Sequence, residues 1–136
     1  GFVFQQFNLI NKLTILENIL LPTTYARKKL LYDPKKRAFE IMERFDIASK
    51  ANSYPNKISG GQQQRVAIAR SLIMAPSLIL ADEPTGNLDT KTGDEIMKLL
   101  AQLNREDNIT VLIVTHEPDI AAQTKRKIQI VDGGLV

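Results

Sequence analysis

The feature that most constrains this chain is an apolar run that ends abruptly in acidic residues. Residues 78–81 (LILA) are followed directly by Asp82 and Glu83, then by a Pro/Gly turn and a third acid, Asp89. A short unbroken apolar run bounded by turn residues is typical of a strand buried on both faces of a parallel sheet. Charges at its end lie outside the carboxyl edge of the sheet, where open α/β sheets bind ligands.

The two adjacent carboxylates point to opposite sides of an extended backbone, so they can take different tasks. One could hold a hydrated Mg²⁺ and the other could polarise a water, which is the pattern of phosphoryl chemistry. A strand that simply ends in two solvated acids has the same sequence, because surface acids are common.

A glycine-rich segment before a helical pattern is the second informative feature. Residues 58–65 read ISGGQQQR, and the helical pattern continues to Met74. Ser59 and Gln62 have the spacing of a capping box, and a cap alone does not need the two glycines between them. Glycines let backbone N–H groups approach a ligand at the positive end of a helix, so the segment predicts a phosphate seat. An ordinary glycine-rich turn with a cap is the alternative.

Composition indicates one domain without a membrane span. At 136 residues the chain can bury roughly two thirds of its unfolded surface around a single core. It has no cysteine, which permits a reducing compartment, and no apolar run approaches the ~18 residues of a membrane span. The net charge of +3 is modest, and the basic clusters at residues 27–29, 35–37 and 125–127 are typical of solvated surfaces rather than of a nucleic-acid site.

The rest of the chain reads as strands and helices in alternation. Phe2–Phe4 is extended, and residues 109–115 and 128–131 read as further buried strands. Amphipathic stripes at helical spacing indicate two helices, one with Ala38, Phe39, Met42 and Phe45 and one with Ile96, Leu99, Leu100 and Leu103. This alternation predicts a parallel α/β architecture.

Helices alone are expected between about residue 14 and residue 57. Thr14 and Glu17 have capping-box spacing and open a short helix, which Pro22 closes. Asp33 and Pro34 are a suitable N-cap and first residue for a second helix.

Five motifs in this order resemble those of the ATP-binding-cassette (ABC) ATPases. Residues 58–62 resemble the signature motif and residues 78–83 the Walker B strand. The three other landmarks are the Q-loop glutamine, the D-loop and the switch histidine, at Gln5, residues 86–89 and His116. The resemblance covers nearly the whole chain, and it implies an α/β fold with a P-loop NTPase-like parallel sheet core and an inserted helical subdomain. It divides the chain into a Q-loop region (1–13), the helical subdomain (14–57), and the signature helix with half of the catalytic core (58–136).

The resemblance also implies catalytic and metal-binding roles. Asp82 would hold Mg²⁺ through water, and Glu83 would be the general base, ionised at pH 7 because an unperturbed Glu has a pKa of about 4.3. His116 would contact the γ-phosphate of ATP, and Gln5 would reach Mg²⁺ or the attacking water. Taken alone, His116 fits a capping or core residue, and Gln5 fits ordinary polar surface.

Further implied roles concern a second copy of the domain. In ABC ATPases two domains pair head-to-tail, and the signature of one closes over ATP on the P-loop of the other. The residues that would do so here are Ser59, Gly60, Gly61 and Gln62, with Asp89 at the same interface. ATP would join the subunits and hydrolysis would release them, driving a transmembrane permease at the cytoplasmic face of the membrane, with no nucleic acid involved.

The wording of the motifs points to a subgroup. Residues 13–18, 82–89 and 115–119 are similar to the group that includes macrolide-exporter, lipoprotein-release, antimicrobial-peptide-export and cell-division ATPases, although Ile58 stands where leucine is more common. One alternative is an ABC-type ATPase that acts on nucleic acid or ribosomes, but such proteins are expected to carry coiled-coil or zinc-bearing insertions, or tandem cassettes. The chain has no cysteine and no long heptad run. A non-enzymatic regulator is the other alternative.

None of the seven glycines begins a P-loop, the pattern Gly-x-x-x-x-Gly-Lys-Ser/Thr that cradles phosphates. In the family the P-loop lies several dozen residues before the Q-loop, together with the first strands and an adenine-stacking aromatic residue. We therefore expect these residues to be the C-terminal majority of an ABC nucleotide-binding domain; a natural protein without a P-loop is the alternative. We also expect no appreciable ATPase activity from them alone, since losing even one oxyanion donor typically costs about 10²–10³ in rate.

Overall fold

Three parallel strands and a set of helices packed on one of their faces form the fold, as seen in a computed structural model that describes all 136 residues. The strands of the parallel sheet are β1 (Phe2–Phe4), β2 (Leu78–Asp82) and β3 (Thr110–Val114). The α-helices are α1 (Ile15–Leu20), α2 (Pro34–Arg44), α3 (Gly60–Leu72), α4 (Thr90–Glu106) and α5 (Pro118–Ala122). Short 3₁₀ helices cover Leu21–Tyr25, Ala48–Lys50 and Pro55–Lys57, and β4 (Ile130–Val131) pairs with β5 (Gly134–Leu135).

Strand β2 lies at the centre of the sheet, with β1 and β3 parallel to it on either side. In this register Ala81 is level with Val3 of β1 and with Ile113 of β3. All three carboxyl ends therefore meet at one edge. This confirms the predicted parallel α/β core, and between residues 14 and 57 the chain contains helices and no strand.

The predicted helix starts are confirmed by their hydrogen bonds. The Thr14 hydroxyl accepts from Glu17 N at 3.2 Å, and the Glu17 carboxylate accepts from Thr14 N at 2.7 Å. The Asp33 carboxylate accepts from Lys35 N at 2.9 Å, so it caps α2. The first α-helix ends at Leu20, just before Pro22 as predicted, and the chain continues in a 3₁₀ turn over Leu21–Tyr25, where a proline is tolerated because the first turn needs no N–H donor.

Helix α3 ends two residues before the predicted end at Met74. Ala75 adopts a left-handed conformation (φ 50°), and its N–H donates to Leu72 O at 2.9 Å. A left-handed residue just beyond a helix turns the chain away from the helix axis and satisfies its last carbonyls. The chain then enters β2.

The expectation that the strands are buried on both faces is wrong. Ile79 and Ala81 are buried beneath the helices, whereas Leu78, Leu112 and Val114 on the opposite face are exposed over 39% to 55% of their surface. The helices of this chain pack on one face only, so the apolar residues alternate between core and solvent. An unbroken apolar run specifies a strand but not what covers it.

The predicted third buried strand at residues 128–131 is also corrected. Residues Ile130–Val131 form an exposed antiparallel hairpin with Gly134–Leu135, apart from the parallel sheet. Asp132 and Gly133 both have positive φ, 49° and 78°, which is the requirement of the tight two-residue hairpin turn. The local turn therefore decides the pairing.

The core lies between the sheet and α3, with α1, α2 and α4 around it. Its largest fully buried side chains include Phe45, Ile68 and Ile96. Asn18 is also fully buried, and its side chain bonds the backbone of Ile10 on both the N–H and the C=O. None of the helices has the length and apolar character needed to cross a membrane.

Candidate functional site

The sequence-predicted acids and the histidine meet at the carboxyl edge of the sheet. Asp82 is the last residue of β2 and is exposed, level with Val114 at the end of β3. Glu83 follows with a left-handed backbone (φ 46°), which is uncommon for a residue with a side chain and is held by the bond from Glu83 N to Val114 O (2.9 Å). Non-glycine residues in this conformation cluster at functional sites.

The Glu83 carboxylate is fixed by two consecutive residues beyond β3. Its Oε2 accepts from the Thr115 hydroxyl at 3.1 Å, and its Oε1 accepts from the His116 backbone N–H at 2.9 Å. The same Oε1 lies 2.5 Å from His116 Nδ1. The Glu83 side chain is 16% exposed and the His116 side chain 83%, so the acid is sheltered and the imidazole faces solvent.

Two opposing effects act on the pKa of Glu83. Burial favours the neutral acid and would raise the pKa, but the hydrogen bonds from His116 and Thr115 favour the carboxylate and together prevail. The pKa of Glu83 is therefore below its ordinary value, and the group is ionised at neutral pH. An ionised carboxylate is in the form needed to accept a proton.

Gln5 lies beside the turn that follows Glu83. Its backbone carbonyl accepts from Asn87 Nδ2 at 2.9 Å, and its side chain packs against Gly86, where a Cβ would come within 2.5 Å of Gln5 Nε2. A side chain at position 86 would therefore require the Gln5 side chain to move. The end of β1 and the D-loop segment are therefore a single packed unit.

The oxygen ligands available at this edge are suited to Mg²⁺ bound together with phosphates. Asp82 offers an exposed carboxylate and Gln5 an amide oxygen, and no cluster of three or more histidines, cysteines or acids forms a closed cage. Mg²⁺ usually keeps several waters and takes one or two carboxylates plus substrate phosphates, rather than a cage built by the protein alone. The residues present therefore fit that ion.

The signature residues lie at the start of α3, as predicted. Ser59 N donates to the Gln62 side chain at 3.0 Å and Gln62 N donates to the Ser59 hydroxyl at 3.2 Å, which confirms the capping box. A Cβ on Gly60 would lie 3.4 Å from Leu88, an ordinary contact, but a Cβ on Gly61 would lie 2.5 Å from the Thr92 methyl group. The second glycine thus lets α3 pack directly on the beginning of α4.

Asp89 has a structural role that the motif did not reveal. It is the N-cap of α4, where its carboxylate accepts from Thr92 N at 3.1 Å and from the Thr92 hydroxyl at 2.6 Å. These bonds lower the pKa of Asp89 below its ordinary value. Thr92 therefore contacts both Gly61 and Asp89, so the signature and the D-loop meet within one chain.

The structure brings the predicted residues together as two groups. Glu83 and His116 form the first group, with Asp82 and Gln5 at the same edge. The second group joins the signature residues to Asp89 through Thr92. No hydrogen bond links the signature residues to Glu83 or His116.

Sequence reasoning missed three residues that hold these groups in place. Thr115 binds the Glu83 carboxylate; Gln64, fully buried in α3, donates to Pro84 O at 2.5 Å. Arg70 donates to Phe7 O at 2.8 Å and to Asn8 O, both residues with positive φ in the loop after Gln5. A signal existed for Gln64, because it occupies the buried stripe that continues at Ile68 and Ser71.

The parallel sheet, the inserted helices and the acid–histidine edge define a P-loop NTPase-like α/β protein. A model of the ABC transporter family matches residues 1–86 of this chain. The chain belongs to that family, as an ATP-binding domain.

Relatives agree with this assignment. The uncharacterized ABC transporter ATP-binding protein MJ0796 of Methanocaldococcus jannaschii is 52% identical over 136 residues, which is 98% of this chain and 58% of the relative. The lipoprotein-releasing system ATP-binding protein LolD of Leptospira interrogans is 47% identical, covering 100% of this chain and 56% of the relative. The macrolide export ATP-binding/permease protein MacB of Campylobacter jejuni is 48% identical, and the match covers 100% of this chain and 21% of MacB.

The fold matches solved structures of the MJ0796 cassette. A dimeric structure superposes with a TM-score of 0.82 at 50% identity, over 99% of this chain and 60% of that one. A second dimeric structure, also with a TM-score of 0.82, is a post-hydrolysis state bound to ADP and Pi. The chain thus spans about three fifths of the cassette that it resembles.

Proposed function

We propose that this protein is the ATP-hydrolysing subunit of an ABC transporter, and that Glu83 is its general base. The observation that supports this role is the Glu83 carboxylate, held ionised at the carboxyl edge of the sheet by donors from Thr115 and His116. A general base needs a fixed position and an available lone pair, and this arrangement provides both.

The histidine complements the acid. A carboxylate can only accept hydrogen bonds, so the contact with Glu83 requires that Nδ1 of His116 carry the hydrogen. Nε2 is then left on the exposed side of the ring, and in the imidazolium form it donates to a phosphate oxygen. Glu83 therefore orients both the attacking water and the group that recognises the γ-phosphate.

Asp82 and Gln5 would hold Mg²⁺, Asp82 through water. When bound, the ion neutralises charge on the phosphate oxygens of ATP. The role of Gln5 is supported by its close packing on Gly86, since a displacement of the D-loop segment must displace Gln5 with it. Gln5 thereby connects the metal position to the subunit interface.

The signature residues act on nucleotide bound to a second copy of the domain. Ser59, Gly60, Gly61 and Gln62 present the N-terminal N–H groups of α3, where the helix dipole favours an anion. Their lack of any bond to Glu83 or His116 of the same chain is consistent with a site completed across a head-to-tail dimer. Asp89, beside them at the start of α4, would lie at that interface.

We further propose that the partner is a membrane permease and that the subunit works at the cytoplasmic face of the membrane. Support comes from the names of two relatives, an ATP-binding/permease protein for macrolide export and an ATP-binding protein of a lipoprotein-releasing system. We assign the contacts with the cargo to the permease. We also propose that residues 1–13 form the Q-loop region, residues 14–57 the helical subdomain, and residues 58–136 the signature helix with half of the catalytic core.

The test uses a chimera in which the segment of MJ0796 that precedes its match to this chain is fused to residues 1–136. We expect Mg²⁺-dependent phosphate release from the chimera and none from residues 1–136 alone. Glu83→Gln in the chimera should lower turnover by at least about 10²-fold while ATP binding and ATP-dependent dimerisation persist, because the variant removes the base and keeps the shape.

The matched control is Glu43→Gln, a carboxylate on the exposed face of α2 that makes no hydrogen bond or ion pair. It should hydrolyse ATP at the rate of the parent chimera. Turnover by Glu83→Gln at the parent rate would exclude Glu83 as the base, and robust hydrolysis by residues 1–136 alone would contradict the need for a P-loop.

A further inference from the structure

The segment between the 3₁₀ helix Leu21–Tyr25 and the first turn of α2 carries a third of the basic residues of the molecule, six of eighteen. Residues 27–37 contain six basic side chains and a single acid, Asp33, giving a net charge of +5 against +3 for the entire chain. The remainder of the chain is therefore slightly acidic. We call Tyr25, Arg27, Lys28, Lys29, Leu31, Lys35 and Lys36 the basic patch.

Apolar side chains project from the same segment. Leu31 is fully exposed, at 100%, and Tyr25 is 80% exposed. The basic residues between them, Arg27, Lys28 and Lys29, are exposed as well. Leu31 lines a wide, open groove together with the rest of residues 26–32 and Met74, and at full exposure its side chain projects into solvent.

The charge arrangement opposes local helix stability. Lys35 and Lys36 occupy the first turn of α2, which contains no acidic residue, although the positive end of the helix dipole disfavours cations there. Asp33 provides the N-cap but only one compensating charge. Sequences depart from such local preferences most often where a function requires it.

The patch is anchored to the body of the protein. The Tyr32 hydroxyl donates to Ile73 O at 2.5 Å, and Arg37 donates to Leu72 O at 3.2 Å with its guanidinium carbon 5.2 Å from the centre of the Tyr32 ring. Tyr32 and Arg37 thus turn inward and fix the segment at the end of α3. The signature lies at the other end of that 13-residue helix, about 20 Å away. The patch is therefore remote from the signature residues.

We propose that the basic patch binds the anionic headgroups of a membrane surface. Lysine and arginine side chains near an anionic leaflet are each attracted to it, tyrosine favours the headgroup level, and a projecting leucine can enter the acyl boundary. An acidic protein segment would match the lysines, but it would not account for a fully exposed Leu31 beside an 80% exposed Tyr25. The contact would hold the domain at the membrane independently of its permease, and it does not depend on ATP hydrolysis.

The test is co-sedimentation of the 136-residue chain with lipid vesicles. We expect binding to vesicles of phosphatidylcholine mixed with phosphatidylglycerol, little binding to phosphatidylcholine alone, and weaker binding as salt is raised. Equal binding to both vesicle types, or binding to neither, would overturn the proposal. Binding to a polyglutamate peptide without binding to vesicles would identify an acidic protein as the occupant instead.

Two variants locate the contact. The double variant Lys28→Gln/Lys29→Gln should weaken binding to the anionic vesicles about 30-fold, from roughly fivefold for each basic residue. Leu31→Ser should weaken it about fivefold through the lost apolar contact. The matched control is Arg126→Gln/Lys127→Gln, which neutralises two exposed basic residues elsewhere and should bind like the parent. Equal loss in the control would mean that net charge alone drives binding, and far-UV circular dichroism checks that every variant is folded.

Discussion

The two halves of the candidate site are built on different principles. At the acid–histidine edge, a charge on Glu83 is surrounded by hydrogen-bond donors from Thr115 and His116. At the contact between signature and D-loop, the decisive feature is a missing side chain, since Gly61 lets α3 meet Thr92. The first half is defined by electrostatics and the second by packing.

This difference separates chemistry from assembly. A substitution at the acid–histidine edge can preserve shape while changing a pKa or removing the proposed base. A substitution at the signature contact moves α3 relative to α4, and with it the surface that we propose faces a second subunit. The two halves should therefore respond to different perturbations, and the following variants of the chimera test that distinction.

Gly61→Ala should cause the largest change in stability. Its Cβ would lie 2.5 Å from the Thr92 methyl, whose rotamer is fixed by the bond from the Thr92 hydroxyl to Asp89. We expect a loss of about 2 kcal/mol in the free energy of unfolding, measured by urea denaturation.

The neighbouring glycine provides the control. Gly60→Ala places its Cβ at an ordinary 3.4 Å from Leu88, so it should change stability by less than about 0.5 kcal/mol. Thr92→Ser removes the clashing methyl and keeps the hydroxyl, and should rescue Gly61→Ala. Failure of that rescue would show that the contact is not steric.

Arg70→Met should lower the free energy of unfolding by an amount similar to, or slightly smaller than, the loss expected for Gly61→Ala. The variant removes two charged donors from the carbonyls of Phe7 and Asn8, and Phe7 in turn lies 3.7 Å from where a Cβ on Gly60 would be. We expect a loss of about 1.5–2 kcal/mol in unfolding free energy. Arg105→Met, in the exposed last turn of α4, is the control, and an equal loss there would remove the special role of Arg70.

The sequence predicted the local features of this molecule well. The caps at Thr14, Asp33 and Ser59, and the positions of β1 to β3, depend on residues close together in the chain, and all are confirmed. The hydrogen bond from Arg70 to Phe7 O joins residues more than sixty positions apart, so no local pattern predicts it.

For the candidate site, the sequence placed Glu83 and His116 at one sheet edge, because consecutive parallel strands end there. It did not reveal that Thr92 joins Gly61 to Asp89, since that contact depends on how α3 meets α4. The prediction that the strands are buried on both faces was wrong for a related reason, because the burial of each face of the sheet depends on helices elsewhere in the chain.

Thr115→Val should lower the free energy of unfolding by a smaller amount, and the dependence of this loss on pH should show that it comes from the ionised Glu83 carboxylate. Losing the hydroxyl removes one donor from the Glu83 carboxylate, so the pKa of Glu83 rises toward its ordinary value. Because the pKa in the folded protein is lowered, the stabilisation is present above the unfolded pKa and is lost as pH falls through the folded pKa. We expect a loss of about 1 kcal/mol at neutral pH.

Unfolding measured at neutral pH and at stepwise lower pH should show the parent and Thr115→Val converging in the acid range. Thr110→Val, at the exposed start of β3 away from Glu83, should show no convergence because it should cause little loss at any pH. A constant difference between Thr115→Val and the parent across that range would mean that the hydroxyl acts through packing, and would weaken the contrast between the two halves.

Asp89→Asn should have the smallest effect on stability, and it tests whether the second half is governed by packing alone. Asparagine caps helices as well as aspartate does, so the bond from Thr92 N is kept, and only the small stabilisation that accompanies the lowered pKa of Asp89 is lost, so the unfolding midpoint should fall only slightly. Asp89→Ala, which removes the cap, should lower the midpoint measurably. If Asp89 contributes only through Thr92 and the position of α4, Asp89→Asn should also hydrolyse ATP and dimerise like the parent chimera. A loss of turnover in Asp89→Asn much larger than its small change in unfolding midpoint would instead assign the negative charge a direct role across the proposed subunit interface, because the charge is the property that the substitution removes.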